Sequence, residues 1–114
     1  LPQSIINNQL QKIMIYKVHS LREGSSAPPN GYTSWLDYWK KATGQKAIWC
    51  HQTNCLNNSL GLATDGAHVQ LDSEYNDSRW WIVPLCHLCN TQFGAYFSVS
   101  GPLVSATDPT EILW

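Results

Sequence analysis

Four cysteines in two close pairs constrain this chain more than any other feature. Cys50 and Cys55 form a Cys-x4-Cys pair, Cys86 and Cys89 a Cys-x2-Cys pair, and 30 residues lie between them. Zinc takes thiolates at about 2.3 Å in a tetrahedron, and a short pair can wrap one edge of it. The first pair sits on a knuckle turn, Cys50-His51-Gln52-Thr53-Asn54-Cys55, and the second on a strand-to-helix turn, Cys86-His87-Leu88-Cys89. Two disulfides are the alternative. Bridges within each pair close loops too short to stabilise much, so cross-paired bridges would be the useful form. Secreted disulfide scaffolds usually carry denser cysteine than four in 114 residues. A Cys-x-x-Cys redox site would sit in a repeated strand–helix pattern, and none surrounds Cys86 and Cys89. The spacing points to one structural Zn2+ held by Cys50, Cys55, Cys86 and Cys89, and with it to a reducing, cytoplasmic setting. Disulfides would instead imply secretion.

Composition sets the frame for that site. A chain of 114 residues and 12.9 kDa reads as one domain. Its core is small, because folding at this length buries roughly two thirds of the chain's surface. A structural zinc contributes folding free energy outright, which a small chain can use. Seven Lys and Arg stand against eight Asp and Glu, for a net charge of -1. That balance excludes a polybasic tail, and an aromatic content of 11% excludes a disordered chain. No apolar run approaches the ~18 residues of a membrane span. The first residue is Leu1 rather than Met, which reads as a processed or cut-down product, and residues 1–30 lack the layout of a signal peptide. The triplets Asn57-Asn58-Ser59 and Asn76-Asp77-Ser78 are glycosylation sequons of a kind that arises easily by chance.

Residues 1–11 carry no clear signal. Lys12 to Leu21 reads as a strand, rich in β-branched and apolar residues, and Arg22 to Gly31 as a loop. Ser34-Trp35-Leu36-Asp37 opens a helix with a capping box that uses Asp in place of Glu. Gly44 stops it, giving a helix over Ser34 to Thr43 whose Trp35, Leu36 and Trp39 face the core. Leu56 to Gly66 is a loop. Ala67 to Leu71 and Arg79 to Leu85 form a hairpin, with Pro84 ending the second strand because it has no N–H for a ladder. A short helix follows Cys86 through about Gln92, Tyr96 to Val104 adds strand, and the tail from Asp108 is indeterminate.

A two-cysteine knuckle, a hairpin, and a helix whose first turn carries two more cysteines are the connectivity of a treble-clef zinc finger. The expected fold is therefore α+β: a treble-clef core over 50–95, an N-terminal strand and helix extension over 1–49, and a C-terminal strand and tail over 96–114. Within that core, Gly66-Ala67-His68-Val69 and Pro84-Leu85-Cys86-His87-Leu88-Cys89-Asn90 resemble the zinc-bearing branch of the HNH (ββα-metal) endonucleases. The resemblance covers about Cys50 to Phe93. It implies that His68 is a general base activating water. It also implies that Asn90, with Asp65 nearby, holds Mg2+ or another divalent cation at a scissile phosphate. Two positions depart from the family pattern. Ala67 stands where many members have an acidic residue or His, and Trp80 to Pro84 holds no Asn to orient the base.

The first functional expectation is thus a zinc-binding treble-clef domain with a degenerate nuclease site, binding nucleic acid or protein. The alternatives are a working endonuclease of the toxin or defence type using His68, and a secreted disulfide-bonded protein. His51 and His87 read as exposed knuckle residues or donors to the zinc ligands, and His19 as a strand residue. Lys40, Lys41 and Lys46 make only a modest basic cluster.

Overall fold

The computed structural model describes residues 13–20, 27–57 and 61–114. The reading of residues 1–11, the ends of the first predicted strand at Lys12 and Leu21, and most of the first sequon lie outside them. The elements are β1 (Ile15–Ser20), α1 (Trp35–Thr43), β2 (Asp65–Leu71), a 3-10 turn (Ser73–Tyr75), β3 (Trp80–Leu85), the single turn α2 (His87–Asn90), β4 (Tyr96–Ser100), β5 (Leu103–Ser105) and β6 (Ile112–Leu113). Among the described residues, no helix is long and apolar enough to cross a membrane.

The architecture is not the expected treble-clef finger with an N-terminal extension. Among the described residues it is mostly antiparallel sheet, six strands curled into a half-barrel, with one helix longer than a turn. The strand order is β4-β1-β2-β3-β5-β6. β1 is therefore no appendage, since it pairs with β2 on one side and β4 on the other. The stretch after Ala95, read as one strand and a tail, supplies three of the six described strands.

Chain connectivity forces the curl. β4 and β5 lie four strand spacings apart in the sheet, which would be about 19 Å if it were flat. Yet only Gly101 and Pro102 separate Ser100 from Leu103, and three residue steps reach at most about 10 Å. The knuckle then closes the gap. His51 N donates to Pro84 O at 2.9 Å, Thr53 N to Ser98 O at 3.0 Å, and Ser100 N to His51 O at 2.9 Å. The end of β3 is thereby laced to β4.

Strand alternation divides the core in two. Inward from the sheet point Val18, Ala67, Val69, Leu71, Trp81, Val83, Leu85 and Val99, packed with Cys55, Cys86 and Cys89. On the outer face α1 lays Tyr38 and Trp39 over Ile82 and Val104. The helix matches its sequence reading. Ser34 Oγ accepts from Asp37 N at 2.9 Å, Asp37 Oδ2 accepts from Thr33 N at 3.1 Å, and Gly44 at φ 70° donates to Lys40 O. Its first turn rests on Gly66, where an added Cβ would lie 2.5 Å from Leu36 N. Pro84, expected to end its strand, instead lies within β3 opposite Gly66. Its carbonyl faces the knuckle, accepting from His51 N, so its missing N–H is lost from that side and not from the β2 ladder. The helix after Cys86 stops at Asn90, short of Gln92.

Candidate metal centre

The cysteines are brought together by two small pieces of backbone. Cys50 N donates to Gly61 O at 2.8 Å and Ala63 N to Ile48 O at 2.9 Å, so the ends of the knuckle loop are held side by side. At the facing end of β3, Cys86 is the N-cap of α2 and Cys89 lies in its single turn. All four Sγ atoms fall within 4.8 Å of one another. Cys55 Sγ is 3.7 Å from Cys86 Sγ and 3.8 Å from Cys89 Sγ. A tetrahedron of sulfurs at 2.3 Å from a zinc ion has edges of about 3.8 Å, whereas a disulfide brings sulfurs to about 2.05 Å. The four cysteines are free of such bonds and could bind a metal ion.

Hydrogen-bond donors surround the sulfurs. Leu56 N points at Cys89 Sγ (3.5 Å) and Asn57 Nδ2 at Cys86 Sγ (3.3 Å). The amides of Gln52 and Cys86 reach Cys50, and those of Asn57 and Gly61 reach Cys55. Burial pushes the Cys50 thiol up to about 11, and it raises Cys89 further. Burial also acts to raise Cys55, but the two amides and the neighbouring sulfurs bring it down to about 7. Four thiolates in this pocket therefore need a cation among them, and a divalent metal supplies one.

Gly61 belongs to the site, although the sequence reading placed it in an Asn/Ser/Gly-rich loop with no further signal. A Cβ there would meet Cys55 Sγ at 2.8 Å and Cys86 Sγ at 3.1 Å. Gly61→Ala must push sulfurs out of the tetrahedron, and metal affinity should fall by about tenfold or more. Competition against a chromophoric chelator measures it, and an unchanged affinity would contradict this placement.

The residues implied by the nuclease resemblance do not converge. Asp65 and Asn90 do meet: Asn90 Nδ2 donates to Asp65 Oδ2 at 2.8 Å. His87 Nδ1 lies 2.9 Å from the same oxygen, and Thr64 Oγ1 donates to Asp65 Oδ1. Burial opposes ionisation of Asp65, but these three partners hold its carboxyl below the usual range. Asn90 thus turns its N–H2 to a carboxylate. His68 is three residues from Asp65 on β2, an odd step, so it faces the other side of the sheet. There it is buried beneath α1, edge-on to Trp35 with ring centroids 4.6 Å apart and against Trp80 at 6.3 Å. Its Nδ1 has no partner among the described residues. His51 is also partly buried, with Nδ1 3.0 Å from Ser100 O. Lys40, Lys41 and Lys46 are exposed, and Lys41 pairs with Asp37 at 3.2 Å.

Burial holds the His68 imidazole below its usual pKa. Above the ordinary histidine value of about 6.5 neither the folded nor the unfolded chain binds this proton. Below it the unfolded chain does and the folded chain resists, so stability falls as pH drops through that point. The urea midpoint of the parent protein should therefore drop further between about pH 7.5 and pH 5.5 than that of His68→Phe. Equal drops would show that His68 does not titrate differently on folding.

Compared with protein-family models, curated proteins and solved structures, the chain matches none. Its chemistry is read from the cysteine cluster itself, four close thiols able to hold a metal ion.

Proposed function

We propose that Cys50, Cys55, Cys86 and Cys89 hold one structural Zn2+, and that the domain so stabilised binds a protein partner rather than cleaving nucleic acid. The tetrahedral spacing of the sulfurs carries the metal reading. Four thiolates fill a tetrahedral zinc, which leaves no position for a reacting water. A reducing compartment fits that role, since it keeps the thiols available.

Binding of protein is favoured by the surroundings of the site. Trp49 and Leu62 pair across a β-bridge with more than half of each exposed, and Leu56 and Leu88 beside the ligand cysteines are exposed as well. Exposed apolar side chains grouped in this way mark interaction surfaces. Nucleic acid is disfavoured because phosphate binding depends on free cations. Of the five described Lys and Arg residues, Lys17, Lys41 and Arg79 are already paired with Glu74, Asp37 and Asp77, which leaves Lys40 and Lys46 as a weak basic patch.

Elemental analysis of the purified full chain is expected to give one zinc per molecule, released by a thiol-blocking reagent. A metal-free protein lacking reactive thiols in denaturant would reject the zinc reading. Plasmid nicking with Mg2+, Mn2+ or Ni2+ is expected to be absent, and cleavage that disappears in His68→Ala would overturn the binding-only role.

A further inference from the structure

The outer face of the sheet carries a second feature, apart from the cysteines. Tyr96 on β4, His19 on β1, Gln70 on β2 and Trp80 on β3 are direct cross-strand partners, one after the next. Side chains opposite one another in an antiparallel sheet share a face, so these four form a row about 14 Å long, at three strand spacings. α1 covers the neighbouring positions His68, Ile82 and Val104, and this row lies beyond it. The rings of His19 and Tyr96 are stacked, with centroids 4.9 Å apart and planes within 25°. Tyr96 is 66% exposed. His19 therefore covers one face of the Tyr96 ring, and the rest of that ring lies open among the described residues.

Beside that ring the segment from Ser73 to Ser78 stands up and makes a cleft of about 350 Å3, within the range of small-ligand sites. Gln70 and its opposite wall give it polar character. Gln70 Nε2 donates to Ser78 O at 2.8 Å, which fixes the amide and leaves its carbonyl oxygen to accept. Asn76, held at φ 51° as the cap of the 3-10 turn, lines the cleft with a second amide, and Asp77, whose carboxylate is held by Arg79, completes that wall. The charge around it is acidic. Asp72, Glu74 and Asp77 lie on this turn, and the flanking cations Lys17 and Arg79 are each bound to one of those carboxylates, at 3.6 Å and 2.7 Å. A phosphate-bearing ligand would meet repulsion, with no unpaired Lys or Arg among the described residues that line the cleft to offset it. An apolar peptide would leave the Asn76 amide and the Gln70 carbonyl without use.

We propose that this cleft binds a neutral saccharide. A pyranose has the two surfaces the site asks for: a flat C–H face to lie on the electron-rich face of the Tyr96 ring, and equatorial hydroxyls that both donate and accept. Those hydroxyls hydrogen-bond the Asn76 amide and the free carbonyl of Gln70. This site does not depend on the metal reading.

The test titrates the metal-loaded full chain with cellohexaose, maltohexaose and chitohexaose, and separately with oligothymidylate, following heat or tyrosine fluorescence. At least one hexasaccharide is expected to bind. Tyr96→Ala should weaken it roughly tenfold or more, the loss of a stacking ring, while Tyr96→Phe stays within about threefold. Tyr96 is mostly exposed, so both variants should keep the parent's circular dichroism. Asn76→Ala gives a second, ring-independent check and is expected to weaken binding as well. No binding by any hexasaccharide at millimolar concentration, or binding of oligothymidylate in their place, overturns the proposal. So does saccharide binding indifferent to both Tyr96→Ala and Asn76→Ala.

Discussion

Removing the proposed metal is expected to unfold this protein. Incubation with a strong chelator, or the substitution Cys89→Ser, is expected to abolish the near-ultraviolet circular dichroism of the buried tryptophans and the cooperative thermal transition. Structural zinc contributes about 10–16 kcal/mol of apparent binding free energy in small zinc domains. The net stability of a whole domain is about 5–15 kcal/mol, so losing the metal can remove all of it. The position of the cysteines makes the coupling strong here. Cys55, Cys86 and Cys89 are part of the inner core, packed with Val69, Val83 and Leu85. The knuckle that carries Cys50 and Cys55 also closes the half-barrel through His51 and Thr53. Without a cation the thiols protonate, the tetrahedron has nothing at its centre, and both the core and the closure loosen together. Re-addition of Zn2+ to the chelated parent should restore the transition, and to Cys89→Ser it should not. A chelated protein that keeps its spectrum and melts within a few degrees of the parent would sink the structural role.

The cysteine cluster was legible because two short ligand pairs are a local pattern. So was α1, whose caps Ser34, Asp37 and Gly44 are all set by nearest neighbours. The hairpin of β2 and β3 followed from alternation over adjacent segments. The sheet order was not legible. Ile15 pairs with Ser100, and nothing local in either strand names a partner so distant along the chain. The same is true of β6, two residues long, which exists only because β5 offers it an edge. A local resemblance therefore suggested a finger with appendages, where the chain builds one continuous sheet. His68 is instructive in another way. Its odd spacing from Asp65 already puts the two on opposite faces of any strand, so the divergence of the implied nuclease residues was present in the sequence. Gly61 left no such trace, since its role is set by the sulfurs it touches in space.

Trp39→Ala should be the most damaging single change outside the metal site, at about 3–5 kcal/mol from lost packing alone. Trp39 is fully buried and connects three parts of the molecule. It belongs to α1, packs among Tyr38, Ile82 and Val104, and meets the His51 ring of the knuckle edge-on with centroids 5.3 Å apart. Its Nε1 donates to Pro102 O at 2.8 Å. Pro102 lies in the two-residue link between β4 and β5, the link that makes the sheet curl. Truncation to Ala therefore opens a cavity under the helix and also leaves a buried carbonyl without its donor, which adds about 1–3 kcal/mol. Trp39→Phe separates these contributions. It keeps most of the ring volume and loses the N–H, so its cost should sit near the hydrogen-bond figure, well short of the alanine variant. Urea denaturation of the metal-loaded proteins measures all three. A Trp39→Ala variant less than about 1 kcal/mol below the parent would mean that α1 is not anchored through this residue. Equal losses for Phe and Ala would place the anchor in the bond to Pro102 rather than in the packing of the ring.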